Sequence, residues 1–272
     1  MLRFTPTSTT VVRVTGDDAA TFLQGQCAAD LRRGEGQPAL WLNRKGRVLA
    51  HTLVVKAADG AFLLLSPRCP PAELIAVVTA NVIADDVAAA DVSDQWQRGV
   101  LWGTGVPAEI AGVRLIPAAR AGGPSWEVLA PPAQSLPWEL ATYEALEADR
   151  ILAGVPSVPD DCGANEFPQE CGLEPWVSYT KGCYLGQEVM ARIQSMGSLR
   201  RILRRVASVD GSPVTAGAEL SSGGKVVGKV RSAAGPHGLA LVGLDLPVGT
   251  VCATVSGGVV LGAPAALPLA QP

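Results

Sequence analysis

Histidine is nearly absent from this chain: His51 and His237 are the only two. Little material is left for histidine-based metal chemistry. The six cysteines, Cys27, Cys69, Cys162, Cys171, Cys183 and Cys252, contain no C-x-x-C pair. A zinc site or ferredoxin-type cluster written locally into the sequence is therefore excluded, and no metal site is expected. No uninterrupted apolar run approaches the roughly 18 residues a membrane span needs. The opening Met1-Leu2-Arg3-Phe4-Thr5 lacks the apolar run of a secretory signal. Dispersed cysteines without an export signal lead to the expectation of a cytoplasmic protein whose thiols are reduced and mostly buried. Charge is also sparse, at 17% of residues and net −3, so no overall attraction to nucleic acid or an anionic membrane follows. Apolar residues are plentiful, at 48% of 272. That is enough to bury the core of one large domain or of two or three smaller ones.

Apolar, β-rich runs predict strands at Val11–Val14, Ala39–Leu42, Arg47–Lys56, Ala61–Ser66, Val113–Ile116 and Trp126–Leu129. Pro70-Pro71 opens a predicted helix to about Val82, and Trp138–Leu152 reads as another, closed by Gly154 and Pro156. Val155–Thr180 has no periodicity, and a loop of that length is usually functional. Beyond Ser198, short β-like runs alternate with Gly-rich turns, which predicts a small β-barrel. The expected class is α+β, with a body over 1–197, a barrel over 198–272 and a possible subdivision of the body near 105–115.

The densest local signal is Lys181-Gly182-Cys183-Tyr184-Leu185-Gly186-Gln187-Glu188. On extended backbone Lys181 and Cys183 project to one side, and an ammonium there favours the thiolate. A helix predicted from Gln187 adds its N-terminal dipole, and Glu188 and Arg192 are spaced to pair across one turn. These residues equally describe a structural cysteine in a Gly-rich turn.

The motif resembles the signature of the YgfZ-like branch of the glycine-cleavage T-protein superfamily, to which mitochondrial iron–sulfur assembly factors are related. Val14-Thr15-Gly16-Asp17-Asp18-Ala19 with Phe22-Leu23-Gln24-Gly25-Gln26 and Asp30, Lys45-Gly46-Arg47, Arg150-Ile151, Gly154-Val155-Pro156, and Phe167-Pro168-Gln169-Glu170 follow the family's order. The resemblance implies a three-part ring around a central channel, ending in a β-barrel. It implies tetrahydrofolate or a derivative as cofactor, with iron–sulfur proteins as further partners. Cys183 and Lys181 become the catalytic candidates. Gln24, Gln26, Trp41, Lys45, Arg47, Glu170, Tyr184, Gln187 and Arg192 become the folate-binding candidates, and Trp176 a second channel-lining tryptophan beside Trp41. Two positions depart from the pattern. His51 stands about where T-proteins carry an acid used in aminomethyl transfer, and Leu152 replaces a Glu expected to hold the pterin, which weakens the expected folate binding.

Between Arg192 and Arg231 eight cations face two acids, a net +6 that leaves −9 for the rest of the chain. A solvated face is one reading of this stretch and attraction of an anion the other. No aromatic residues interleave with it, so direct nucleic-acid binding is not expected. The expected function is that of a folate-binding accessory protein in iron–sulfur cluster assembly or repair, affecting tRNA modification indirectly and acting as a monomer. A folate-dependent aminomethyl transferase, a folate-independent thiol enzyme and a pure binding module are the alternatives.

Overall fold

Short β-rich runs, punctuated by Gly, Pro and Asp, dominate the chain. The computed structural model describes residues 1–34, 36–197 and 199–268. It begins with β1 (Leu2–Pro6), β2 (Thr10–Thr15), α1 (Ala19–Gln26), β3 (Gln37–Leu42), β4 (Val48–Lys56), β5 (Phe62–Ser66), α2 (Pro71–Thr79) and β6 (Ala88–Asp91). Next come β7 (Gln97–Gly103), β8 (Arg114–Ala118), β9 (Ser125–Ala130), β10 (Glu139–Leu140), α3 (Tyr143–Ala153) and α4 (Gln187–Met196). The last six strands are β11 (Arg201–Ser208), β12 (Glu219–Ser222), β13 (Lys225–Ala234), β14 (His237–Gly243), β15 (Val251–Thr254) and β16 (Gly257–Pro264).

These strands form three sheets: β3-β4-β5-β2-β6, β10-β1-β7-β9-β8, and a closed barrel β11-β14-β13-β12-β15-β16. Among the described residues only the short β1–β10 pair is parallel, so the fold is α+β with predominantly antiparallel sheets. β1 pairs with β7 in the second sheet, while β2 pairs with β5 and β6 in the first. One short connection thereby ties the two sheets together. The segment 104–113 joins β7 to β8 within the second sheet. Ser198, where the barrel was expected to begin, lies outside the described residues.

β4 shows why the sheets stack. From Val48 to Val55 every residue except Leu49 is buried, the signature of a strand covered on both faces. Ala50 and Val54 pack with Phe22 and Leu23 of α1 and Leu74 and Val78 of α2. On the other face, Leu53 and Val55 pack with Ile116 and Leu129 of the second sheet. Burying each such Leu or Val side chain contributes about 1.5–3 kcal/mol.

The helix expected over Trp138–Leu152 begins later, at Tyr143. Thr142 caps it, its hydroxyl accepting from the Ala145 N–H, and Gly154 closes it with φ +83°. Upstream, Glu139 and Leu140 pair with β1 instead, and Trp138 packs against Phe4 with ring centroids 6.1 Å apart. Strand pairing there overrides a helical pattern. The strands β1, β6 and β7 were not anticipated. The loop 155–180 holds two 3-10 turns, Pro168–Cys171 and Glu174–Trp176. Its Cys162, Cys171, Leu173 and Trp176 join Leu40 and Leu42 of β3 to Leu203, Leu239 and Leu241 of the barrel in one core.

The basic stretch is not a solvated face throughout. Arg201 donates to Glu170, Arg231 donates to Glu166, and Arg204 is buried with its guanidinium on the carbonyls of Leu246 and Gly262. Glu166 and Glu170 are both buried, so these arginines clamp the barrel to the loop that precedes it.

Candidate functional site

The Cys183 loop hangs from Lys181, and Lys181 does not face Cys183. Its ammonium is buried and donates to the carbonyls of Cys27, at 2.8 Å, and Ala29. The Cys27 thiol lies 4.0 Å from Lys181 Nζ. Burial pushes the Cys27 thiol up, opposed by Lys181. Burial pulls Lys181 down, opposed by Cys27 and Asp30. The expectation that Lys181 acts on the Cys183 thiol is thereby corrected. A glycine with φ +100° separates the two residues, so the chain turns and their side chains diverge. Sequence spacing alone missed this, because it assumed extended backbone.

The rest of the loop is tied down from both sides. Asp30 accepts from Arg32 Nε at 2.8 Å and from Gln24 Nε2 at 2.9 Å. The Arg32 hydrogen bond holds the Asp30 carboxyl well below its ordinary range, with burial opposing and Gln24 adding to the effect. Arg32 also donates to the Lys181 carbonyl at 3.3 Å, and the Leu185 N–H donates to the Gly25 carbonyl at 3.1 Å. Gly186 has φ +85°, and a Cβ there would lie 2.9 Å from the Asn43 carbonyl oxygen. Only glycine lets the loop approach the 43–46 turn so closely. Cys183 itself is exposed, four residues before α4 begins. Glu188 and Arg192 are both exposed, and no ion pair joins them among the described residues.

The nine residues expected to hold a reduced folate do not converge. Gln24 is spent on Asp30 and the Leu31 N–H, Gln26 on Asn81, and Trp41 Nε1 on Thr52. Arg47 lies over the Phe167 ring and donates to Glu170 at 3.3 Å, and Glu170 also holds Arg201. Lys45 and Arg192 point to solvent, and Gln187 is half-buried. Tyr184 is buried beneath Lys181 with its hydroxyl unpartnered and pushed up to about 12 by burial. Of the nine, Gln26 and Trp41 share a cavity, of about 250 Å³. That is below the roughly 300–1,000 Å³ of an ordinary ligand pocket. Five of the nine are engaged by protein partners, and no chemistry is routed through a folate. Leu152 is 55% exposed, on the outward stripe of α3.

His51 is stacked flat on Trp176, with ring centroids 4.2 Å apart. Burial, with Arg120 adding to it, holds its imidazole down to about 3, so it is neutral at physiological pH, and its Nε2 has no partner. It cannot replace a carboxylate. Sequence reasoning also missed a buried network in which Arg150 donates to Glu147 and Asp161, and Asp161 accepts from Ser232 of the barrel. Arg68 bridges Glu147 and Asp160. Among the described residues no group of three or more His, Cys, Asp or Glu could hold a metal ion, and no helix is long and apolar enough to cross a membrane.

Two antiparallel sheets, a closed barrel and a cysteine loop between them define a protein of the T-protein fold. The solved aminomethyltransferase T of the glycine cleavage system from Bartonella henselae superposes with a TM-score of 0.79 at 16% identity, covering 96% of this chain and 85% of that one. Residues 192–264 match the CAF17 C-terminal β-barrel domain. The chain is homologous to the IBA57 and YgfZ proteins. It is 27% identical over 232 residues to the mitochondrial iron–sulfur cluster assembly factor IBA57 homolog of Cryptococcus neoformans, covering 70% of this chain and 62% of that protein's length. A 100-residue segment is 43% identical to human mitochondrial IBA57, over 34% of this chain and 28% of that one. The tRNA-modifying protein YgfZ of Vibrio vulnificus is 26% identical over 223 residues, covering 72% and 67%. The fungal and human relatives are mitochondrial by name, which overturns the expectation of a cytoplasmic protein. That expectation rested on dispersed cysteines read without an export signal, and reduced thiols suit any reducing compartment equally.

Proposed function

We propose that this protein is an accessory factor in iron–sulfur cluster assembly, with Cys183 as the thiol that meets its client. Any effect on tRNA modification is then indirect, through iron–sulfur enzymes. The observation that carries the reading is exposure. Of the six cysteines Cys183 alone is exposed, on a loop whose two flanks are anchored. A rigidly presented, solvent-facing thiol is what delivery to another protein requires, whereas buried thiols are inert. The names of the Cryptococcus and human relatives support the reading.

One-carbon transfer is not part of it. The position where an acid would act holds a neutral, buried His51 beneath Trp176. The test is complementation in cells lacking their own factor of this type, read as the activity of iron–sulfur enzymes. Wild type and Cys171→Ser should restore activity and Cys183→Ser should not. Full restoration by Cys183→Ser would end the proposal.

A further inference from the structure

Two thiols outside the Cys183 loop meet in the segment that precedes it. Cys162 and Cys171 are both fully buried, at 0% exposure, in the core that joins body to barrel. Each thiol is turned onto the stretch that carries the other. The Cys171 thiol donates to the carbonyl of Asp161, the residue before Cys162, at 3.5 Å. The Cys162 thiol lies 3.9 Å from the carbonyl of Phe167, which precedes the 3-10 turn that ends at Cys171. Burial pushes the Cys162 thiol well up, the adjacent Cys171 adds to this, and Glu166 and Glu170 follow.

The chain between the two cysteines gives the pair something to control. It carries Glu166 and Glu170, the acids that hold Arg231 and Arg201 of the barrel and Arg47 of the body. It also carries the Asn165 carbonyl, which accepts from Arg47 at 2.9 Å and from Arg201 at 3.1 Å. Immediately before Cys162, Asp161 accepts from Arg150 of α3 and Ser232 of β13. A bond between the two sulfurs therefore closes a ring around the clamp itself. Neither thiol takes part in the arginine contacts. The hydrogen bonds given up are the two to carbonyls, and a thiol is a weak donor.

We propose that Cys162 and Cys171 form a reversible dithiol–disulfide switch that staples the clamp between body and barrel under oxidation. The oxidant is a peroxide, small enough to enter when the segment opens. Peroxide converts one thiol to a sulfenic acid and leaves as water. The second thiol attacks that sulfur, the S–S bond forms, and a second water leaves. Two thiols give up two electrons and two protons, and one peroxide becomes two waters. Burial sets the rate. The thiols are reached only through local opening, so exposed Cys183 reacts first and the staple records sustained rather than brief oxidation. Cross-linking restricts the unfolded chain, so the oxidised form is the more stable one. The switch does not depend on the client contact assigned to Cys183.

The test uses full-length Cys183→Ser protein, checked for native circular dichroism, so that the exposed thiol forms no mixed products. It is incubated with hydrogen peroxide, unfolded in denaturant with iodoacetamide, and digested without reduction. No Lys or Arg lies between Arg150 and Lys181, so trypsin leaves both cysteines on one peptide. From reduced protein this peptide should carry two alkyl groups. After oxidation it should carry none and should have lost two hydrogens. Cleavage after Glu166, between the cysteines, should leave the halves joined until dithiothreitol is added. The midpoint of thermal unfolding should rise by roughly 5–10 °C on oxidation and return with dithiothreitol. Adding Cys171→Ser should remove the rise. A peptide that still takes two alkyl groups after peroxide would overturn the proposal, as would a sulfinic acid in place of the disulfide. So would a disulfide from either thiol to Cys27, Cys69 or Cys252, or a Cys162–Cys171 bond that leaves the midpoint unchanged. The mass measurement reads the pair in a chain that keeps both thiols, so it stands even where Cys171→Ser fails to fold.

Discussion

Lys181 and Cys183 are two residues apart in sequence and serve different parts of the molecule. Lys181 satisfies two buried carbonyls, so Lys181→Ala leaves both without a donor. The expected loss is on the order of 3 kcal/mol of stability, measurable by urea unfolding. The rate of Cys183 alkylation in the folded state should change little, because the ammonium points to Cys27. In the wild type, Cys183 should be alkylated before any other cysteine. Cys69 is half-buried with its thiol pushed up to about 11 by burial and then by Glu73, and the other four are buried. Site assignment by mass spectrometry across a pH series decides the order. Earlier modification of Cys27 or Cys69 would contradict it. His51 makes a separate prediction. Its folded value of about 3 lies below its ordinary 6.5. Between these the unfolded chain binds a proton and the native state does not, so stability falls as pH drops below about 6.5, by up to about 1.4 kcal/mol per pH unit. Denaturation between pH 7 and 5 should show this slope, and His51→Phe should flatten it.

At the level of elements, the cysteine loop depends on a close backbone approach rather than on side-chain packing alone. Gly186 combines a positive φ with a turn carbonyl where a Cβ would sit. Gly186→Ala should therefore cost roughly 1–3 kcal/mol. It should also loosen the loop, seen as faster hydrogen exchange at Leu185, whose N–H is held by the Gly25 carbonyl. A variant as stable and as protected as wild type would show that the 43–46 turn yields easily. The Trp138–Tyr143 stretch illustrates the limit of periodicity. Its residues suit a helix, yet Thr142 offers a cap and β1 offers a partner, and those two contacts place the boundary.

Across the whole molecule, Glu170 holds body and barrel together through Arg47 and Arg201, with Glu166 and Arg231 alongside. Removing one buried partner leaves arginines uncompensated. Glu170→Ala should cost about 3–5 kcal/mol and make the barrel melt apart from the body, visible as two transitions in calorimetry. A single transition at the wild-type temperature would show that the apolar core between them carries the coupling. That core already unites Leu40 and Leu42 with Leu203 and Leu241.

Much of this protein could be read from the order of its residues. Apolar, β-rich runs located β2 to β5, β8 and β9, because strands covered on one or both faces carry them. Gly-rich turns beyond residue 198 announced a barrel, because short strands need tight reversals. The spacing of Lys181, Gly182 and Cys183 marked the loop. What sequence could not decide was direction. A positive φ at Gly182 sends Lys181 inward and leaves Cys183 in solvent. The arginines of the barrel, a charged run in sequence, turn onto Glu166 and Glu170 because a closed barrel presents alternate residues to whatever it packs on. Five of the nine residues expected to hold folate, Gln24, Gln26, Trp41, Arg47 and Glu170, are spent on one another or on their neighbours. Whether a polar side chain is free for a ligand depends on contacts between segments more than a hundred residues apart, such as Arg47 with Glu170, and those exist only once the chain has folded.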